Sequence, residues 1–401
     1  MLTSSLIESA RSLAPEITAL RRAIHAEPEV GLHTPLTMAK VREALADLPL
    51  EWRSGASTTG AVATLRGGKA TDASPRVLLR GDMDALPMDE KTDLEFASTI
   101  PGRMHACGHD THTAMLAGAA RLLCDKKEEI AGTVDFMFQP GEEGYHGARF
   151  MLDDGLIDPL PDAAFALHIM PNAPFGVIAG KPGPLMAAAD QFNITVRGKG
   201  GHASMPHDCA DPVPAAAAIV GAVQAMVTRR FNAASAVVVT VTQIHTGTAH
   251  NVIPDEAMLA GTIRTLSPEH RDKAHALIAE TASDVARSYG VEASCDIEAG
   301  FPVTICDPQA VTLGNKVAKE LGGEEAWRDL PAPIMGAEDF SYILEKVPGA
   351  MFFLGVAPQG EDWTQCCAIH SPRMHVDESA LPQGTAMLAG CALEFIENGF
   401  N

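Results

Sequence analysis

Phe192-Asn193-Ile194-Thr195-Val196 alternates apolar with polar residues, and Val237, Val239 and Val241 repeat the same period of two. Strands patterned this way bury one face of a sheet and leave the other open. Working outward, the chain reads as strand 190 to 198, helix 211 to 230, strand 235 to 244, strand 256 to 265, helix 268 to 289 and strand 291 to 298. That β-α-β-β-α-β order is ferredoxin-like. The runs on either side differ. Val77 to Leu79, Val134 to Phe138, Ala163 to Leu167 and Ala350 to Val356 are short, continuously apolar and bounded by Gly, Pro or Asp, and the first two flank a helix from Asp110 to Leu123 with Met115, Ala119 and Leu122 on one side. The expected fold is therefore α/β. A larger, mainly parallel-sheet domain is built from residues 1–186 and 299–401, with an α+β domain inserted at 187–298.

The chain has 401 residues, more than the roughly 250 to 300 at which one core stops growing, in keeping with two domains. Hydrophobic residues make up 46% and charged residues 20%, an ordinary globular balance, and no apolar run reaches the roughly 18 residues of a membrane span. With 51 acidic against 30 basic residues the formal net charge is −21, which disfavours nucleic acid and anionic membrane partners. The N-terminal stretch lacks the basic start and apolar core of a secretory signal, so the cytoplasm is expected. Eight cysteines without paired spacing argue against a disulfide framework.

In open parallel sheets, functional groups gather beyond the carboxyl ends of the strands. After Val77 to Leu79 comes Gly81-Asp82-Met83-Asp84; after Phe138 comes Gln139-Pro140-Gly141-Glu142-Glu143; the Leu167 strand ends in His168; beyond the Val356 run lies His370. Cys107 and His109 flank Gly108 in a turn before the helix, where glycine lets two side chains converge. Thiolate, imidazole and carboxylate are transition-metal ligands. One Cys, three His (109, 168, 370) and one Glu exceed a single tetrahedral site, so two ions sharing a water are the natural reading. Of Glu142 and Glu143, one can bind metal while the other acts as general base. Asp84 is placed to orient an imidazole. Taken singly, each residue has an ordinary explanation as a buried thiol, a core histidine or a solvated turn; their convergence at separate strand ends is what carries the reading.

The same stretches resemble the aminoacylase and carboxypeptidase superfamily of dinuclear metallohydrolases, most closely its hippurate hydrolase and indole-acetyl-amino-acid hydrolase branch. The matching motifs run from Arg21-Arg22-Ala23-Ile24-His25 through Arg80-Gly81-Asp82-Met83-Asp84, Met104-His105-Ala106-Cys107-Gly108-His109-Asp110, Gln139-Pro140-Gly141-Glu142-Glu143-Gly144, Gly200-Gly201-His202-Ala203-Ser204, Asn251-Val252-Ile253-Pro254 and Gly336-Ala337-Glu338-Asp339-Phe340 to His370-Ser371-Pro372. The resemblance implies that Cys107, His109, Glu143, His168 and His370 hold the two divalent ions; the thiolate favours zinc, and manganese, cobalt and nickel also occupy mixed N, O and S sites. It implies Glu142 as catalytic acid/base, His202 and Asn251 as donors to an oxyanion on the substrate, and an inserted domain that pairs with its copy in a homodimer or higher homo-oligomer. Arg264, in Gly261-Thr262-Ile263-Arg264, is the candidate for binding the substrate carboxylate. The implied substrate is a small N-acyl amino acid.

A dipeptidase or carboxypeptidase of the same superfamily is the nearest alternative, because peptides offer the same scissile amide. A noncatalytic metal-binding protein would use the same ligands without needing Glu142. Nucleotide binding and zinc-dependent nucleobase deamination are excluded, since no strand–GxGxxG–helix arrangement follows Gly198 to Gly201 and no Pro-Cys-x-x-Cys accompanies His25-Ala26-Glu27. The vicinal pair Cys366-Cys367 has no assigned role.

Overall fold

Because the four continuously apolar runs can be buried on both faces, they form adjacent parallel strands. In the computed structural model, which describes residues 2–400, the strands Thr133–Gln139, Arg76–Asp82, Ala163–Met170 and Gly349–Gly355 lie side by side in that order, all parallel. Short strands extend this sheet to eight. Ala61–Arg66 and Glu51–Ser54 add antiparallel on one side; Ile178–Gly180, antiparallel to Gly349–Gly355, and Trp327–Asp329 complete the other. A side chain at Gly349 would put Cβ 2.0 Å from the carbonyl oxygen of Ala164, so this close strand approach requires glycine. The helix His109–Asp125 is buried almost throughout, packed by the helices Ala14–Ala26 and Leu381–Asn398.

These elements form one compact unit, residues 1–185, 305–332 and 339–401; the second comprises 186–304 with 333–338. In the second unit the helices Pro212–Arg230 and Pro268–Ser288 cover a four-stranded antiparallel sheet in the order Val237–Thr246, Glu256–Thr265, Ala188–Arg197, Glu292–Phe301. Numbered along the chain this is 2-3-1-4, the ferredoxin-like order. Phe192, Ile194 and Val196 are fully buried against Ala215, Ile219, Val223 and Ile278, while Gln191 faces water. The last strand runs to Phe301 through an irregularity after Glu298, which carries the unit past residue 298. Pro212–Arg230 is long and apolar enough to cross a membrane by length and composition alone, but its Ala215, Ile219, Val223 and Met226 stripe is spent on this core.

Asp190 ties the second unit together. Its fully buried carboxylate accepts hydrogen bonds from Arg271 Nε and Nη2, at 2.9 and 2.6 Å, and from the Gly300 amide at 2.9 Å, with His275 Nε2 at 2.8 Å. Burial opposes its ionisation, but Arg271, His275 and the amide outweigh burial and hold it below the usual carboxylate range. A carboxylate depressed in the folded state contributes stability above its unfolded pKa, about 3.9, and loses it as pH falls through the folded value. Asp190→Asn is expected to cost about 2 kcal/mol near neutral pH, and denaturant titrations across pH should show the gap to wild type closing only below about pH 4.

Candidate metal centre and active site

The carboxyl ends of the four parallel strands and the turn before the His109–Asp125 helix bring the predicted donors of the first unit together. Cys107, His109 and His168 present ligand atoms within 4.8 Å of one another, as do Cys107, Glu143 and His370, and His109, Glu142 and Glu143. Two of these groups share Cys107.

Local structure explains the placement. Gly108 adopts φ +89°, and a Cβ there would lie 2.6 Å from Ile169 Cγ1, so only glycine permits the turn that swings Cys107 and His109 to the same side. Asp110, in the first helical turn, accepts from Arg21 Nε at 2.7 Å and lies 2.8 Å from His25 Nδ1, with all three side chains buried. His370 has φ +65° and donates its amide to the Ala106 carbonyl at 2.7 Å, which fixes it beside Cys107. Its Nε2 is 3.3 Å from Glu143 Oε1. His168 Nδ1 lies 2.6 Å from the carbonyl of Ile169, an acceptor only, so that nitrogen carries the proton and Nε2 is left facing Cys107 Sγ at 3.3 Å.

Asp84 has two tasks. One oxygen is 3.5 Å from His109 Nδ1, and the carboxylate accepts the backbone N–H groups of Glu142 at 2.9 Å and Glu143 at 3.1 Å. It thereby fixes the loop carrying both glutamates. Glu142 is buried, and its Oε2 lies 3.9 Å from His109 Nε2.

The donor set fits a metal centre. Both ring nitrogens of His109 and Glu143 Oε1 are buried without a hydrogen-bond partner, an expensive condition unless a cation satisfies them. Burial holds His168 neutral, well below the usual imidazole range, as a ligand requires. Burial resists charge on His109 too, but Asp82 and Cys107 outweigh it and hold it well above that range. Cys107 and Glu143 raise His370 to about 10.

His202, Asn251 and Arg264 belong to the second unit. The two-residue strands Gly201–His202 and Val252–Ile253 pair antiparallel, and the Ala203 amide donates to the Asn251 carbonyl at 3.1 Å, so His202 and Asn251 are neighbours on an exposed turn. The Ser204 amide donates to His202 Nδ1 at 3.2 Å. Neutral His202 therefore carries its proton on Nε2, as a donor. Arg264 lines a cavity of about 420 Å³ on the open face of the sheet with Gln191, Asn193 and Thr242, and donates to Thr262 Oγ1 at 2.7 Å and the Ile263 carbonyl at 3.1 Å.

Sequence reasoning missed several supporting residues. Asp82 lies 2.6 Å from His112 Nδ1 and accepts from Arg80 Nη1 at 2.6 Å; Arg80 also donates to Gln139 Oε1 at 2.9 Å and Asp339 Oδ1 at 3.1 Å. His112 falls three residues after His109, on the same helix face, the one trace of it in the sequence. All eight cysteines are free thiols.

Converging thiolate, imidazole and carboxylate groups at the carboxyl ends of a parallel sheet define a metal-centred hydrolase site. Residues 78–394 match the model of peptidase family M20/M25/M40, and the chain belongs to this family of hydrolases. It is 38% identical over 400 residues to thermostable carboxypeptidase 1 of Saccharolobus solfataricus, covering 98% of this chain and 99% of that protein. It is 35% identical over 402 residues to IAA-amino acid hydrolase ILR1-like 2 of Arabidopsis thaliana, covering 99% and 89%. Among solved structures, the Bacillus subtilis YXEP protein, described as a dinuclear metal binding peptidase from the M20 family, superposes with a TM-score of 0.83 at 32% identity, covering 96% of this chain and 99% of that one.

Replacing Asp84 by Ala should release the Glu142-Glu143 loop from two charge-assisted hydrogen bonds. Activity is expected to fall 10- to 100-fold, in the range of lost supports around a metal centre, whereas Asp84→Asn, which keeps one acceptor, should fall less. Steady-state kinetics with metal content measured in parallel separates the two variants.

Proposed function

We propose that the protein hydrolyses the amide bond of N-acyl amino acids to a carboxylic acid and a free amino acid, using two divalent cations held by Cys107, His109, Glu143, His168 and His370. The observation that carries this reading is the pair of donor groups sharing Cys107, with the Glu142 carboxylate beside His109 and Glu143. Zinc is favoured by the thiolate; manganese, cobalt and nickel also suit a mixed N, O and S set. When bound, such ions polarise a carbonyl and make water more acidic.

Glu142 takes the proton of the attacking water and passes it to the leaving nitrogen. Asp84 keeps Glu142 in register. The Nε2–H of His202 and the side-chain amide of Asn251 donate to the oxyanion, and Arg264 holds the carboxylate of the amino-acid half. The relative named as an IAA-amino acid hydrolase supports the acyl-amino-acid reading. The exposed edge strand Val237–Thr246, with its apolar Val238 and Ile244 open to solvent, supports a homodimer formed through the second unit. Eight free thiols fit the reducing cytoplasm.

The similarity to a carboxypeptidase gives a second reading, in which the acyl half is a peptide. Metal-stripped protein resupplied with each of the four ions, then offered N-acetyl, N-benzoyl, N-indole-acetyl and N-lauroyl amino acids and free dipeptides, decides between them. Release of amino acid from the acyl conjugates is expected; cleavage of dipeptides alone moves the assignment to the peptidase. Glu142→Ala is expected to retain both ions and lose about 10² to 10⁴ in turnover. Normal turnover by that variant would disprove the proton-transfer role.

A further inference from the structure

His112 is fully buried beneath the centre, and each of its ring nitrogens has a partner that fixes its role. The amide of Ile169 lies 2.9 Å from Nε2. A backbone N–H can only donate, so Nε2 accepts and the proton of the neutral ring sits on Nδ1, which gives it to Asp82 at 2.6 Å. Ile169 directly follows His168, and its carbonyl accepts the proton of His168 Nδ1 at 2.6 Å. One residue thus receives both histidines: the N–H of Ile169, in the peptide before its Cα, is held by His112, and its carbonyl, in the peptide after, orients His168. The two rings also pack edge to face, with centroids 4.5 Å apart.

The other end of this chain is equally constrained. Asp82 is fully buried and accepts from Arg80 at 2.6 Å, while Arg80 reaches Gln139 at 2.9 Å and Asp339 at 3.1 Å. Asp339 accepts also from the Ala148 amide at 2.9 Å. Asp82, His109 and His112 sit close enough to be counted as metal donors, but Asp82 and His112 already satisfy one another, which makes them supports.

We infer that Asp82 and His112 form a positioning unit which, through the backbone of Ile169, sets the direction in which His168 Nε2 faces Cys107. The inference rests on His168 being a ligand, as proposed above. Asp82 is held by the strand Arg76–Asp82 and His112 by the helix that begins at His109, so the unit locks three elements into one register at the point where their side chains must meet. Removing the Nε2 acceptor releases the Ile169 N–H and lets the backbone that orients His168 shift, with every proposed ligand side chain kept; the ring packed on His168 is lost alike in His112→Asn and His112→Gln, so the acceptor is what separates those two.

The test uses the full chain in four variants: His112→Leu, His112→Asn, His112→Gln and His168→Ala. Zinc affinity and stoichiometry are measured by competition with a chromogenic chelator, and the absorption of the cobalt-loaded forms reports thiolate coordination. His112→Leu is expected to bind one of the two ions 10- to 100-fold more weakly, with a changed cobalt spectrum and a fall in kcat larger than any change in KM. His112→Asn, which keeps a donor for Asp82 but falls short of Ile169, should lose the same ion if the leucine variant does not fold. His112→Gln offers a donor and an acceptor and should restore affinity to within about threefold of wild type, less than 1 kcal/mol at tenfold per 1.4 kcal/mol. If His168→Ala loses an ion while the leucine and asparagine variants bind both ions normally, the positioning role is wrong. If His168→Ala itself keeps both ions at wild-type affinity, the ligand assignment has failed and this inference falls with it.

Discussion

Beneath the metal centre a carboxylate, Asp82, is fully buried, and the structure around it is arranged to make that tolerable. An isolated ionised carboxylate in such a place would neutralise itself. Burial does push Asp82 towards the neutral form, but Arg80, His109 and His112 outweigh it, and it stays well below the usual carboxylate range. Arg80, buried in turn, needs Gln139 and Asp339. Each pairing joins a different strand end or helix, so satisfying one charge fixes the relative positions of the elements that present the donors. A buried ionic network is weak evidence for stability, since apolar residues of equal volume often do as well. Its value here is directional: apolar packing would not dictate which way an imidazole points.

The Arg21, His25 and Asp110 cluster applies the same logic one helical turn away. Asp110 is buried, yet Arg21 and His25 overcome burial and keep it ionised far below the usual range. Its neighbour His109 is left with two unpartnered nitrogens. The helix start is therefore anchored through residues other than the donor, leaving the donor free for a cation. Asp84 repeats the division of labour by holding the glutamate loop through backbone amides rather than through the glutamate side chains.

How much of this was legible in the sequence follows from range. The central strands were readable because each is apolar over its whole length, and the inserted unit because Phe192, Ile194 and Val196 alternate with polar neighbours. Of the ligand candidates, Glu143 and His168 were readable from the ends of those strands, Cys107 and His109 from the glycine turn before the helix, and His370 from the loop beyond the last of them. The flanking strands Ile178–Gly180 and Trp327–Asp329 were not, because three residues carry no period and their pairing is supplied by the sheet. Nor was the role of His112, whose decisive partner is a backbone amide 57 residues away. Asp82 stood in a recognisable motif, but beside Asp84 it read as half of an acidic turn. Only the fold shows that one carboxylate faces the glutamate loop and the other faces His112.

The charge balance narrows where an anionic substrate can be held. With a formal net charge of −21 the chain repels small carboxylates at long range, so attraction has to be local. Within the first unit, the guanidinium groups of Arg21 and Arg80 are committed to buried carboxylates; in the second, Arg271 is committed to Asp190. Arg264 differs: its hydrogen bonds go to a threonine hydroxyl and a backbone carbonyl, both neutral. Burial lowers its pKa, but not enough to uncharge a guanidinium. It is a half-buried cation bonded to neutral oxygens, facing a cavity lined with amide and hydroxyl groups. The carboxylate of the proposed acyl-amino-acid substrate would gain a charge-assisted pair there without breaking an existing ion pair, beside the amide side chains of Gln191 and Asn193.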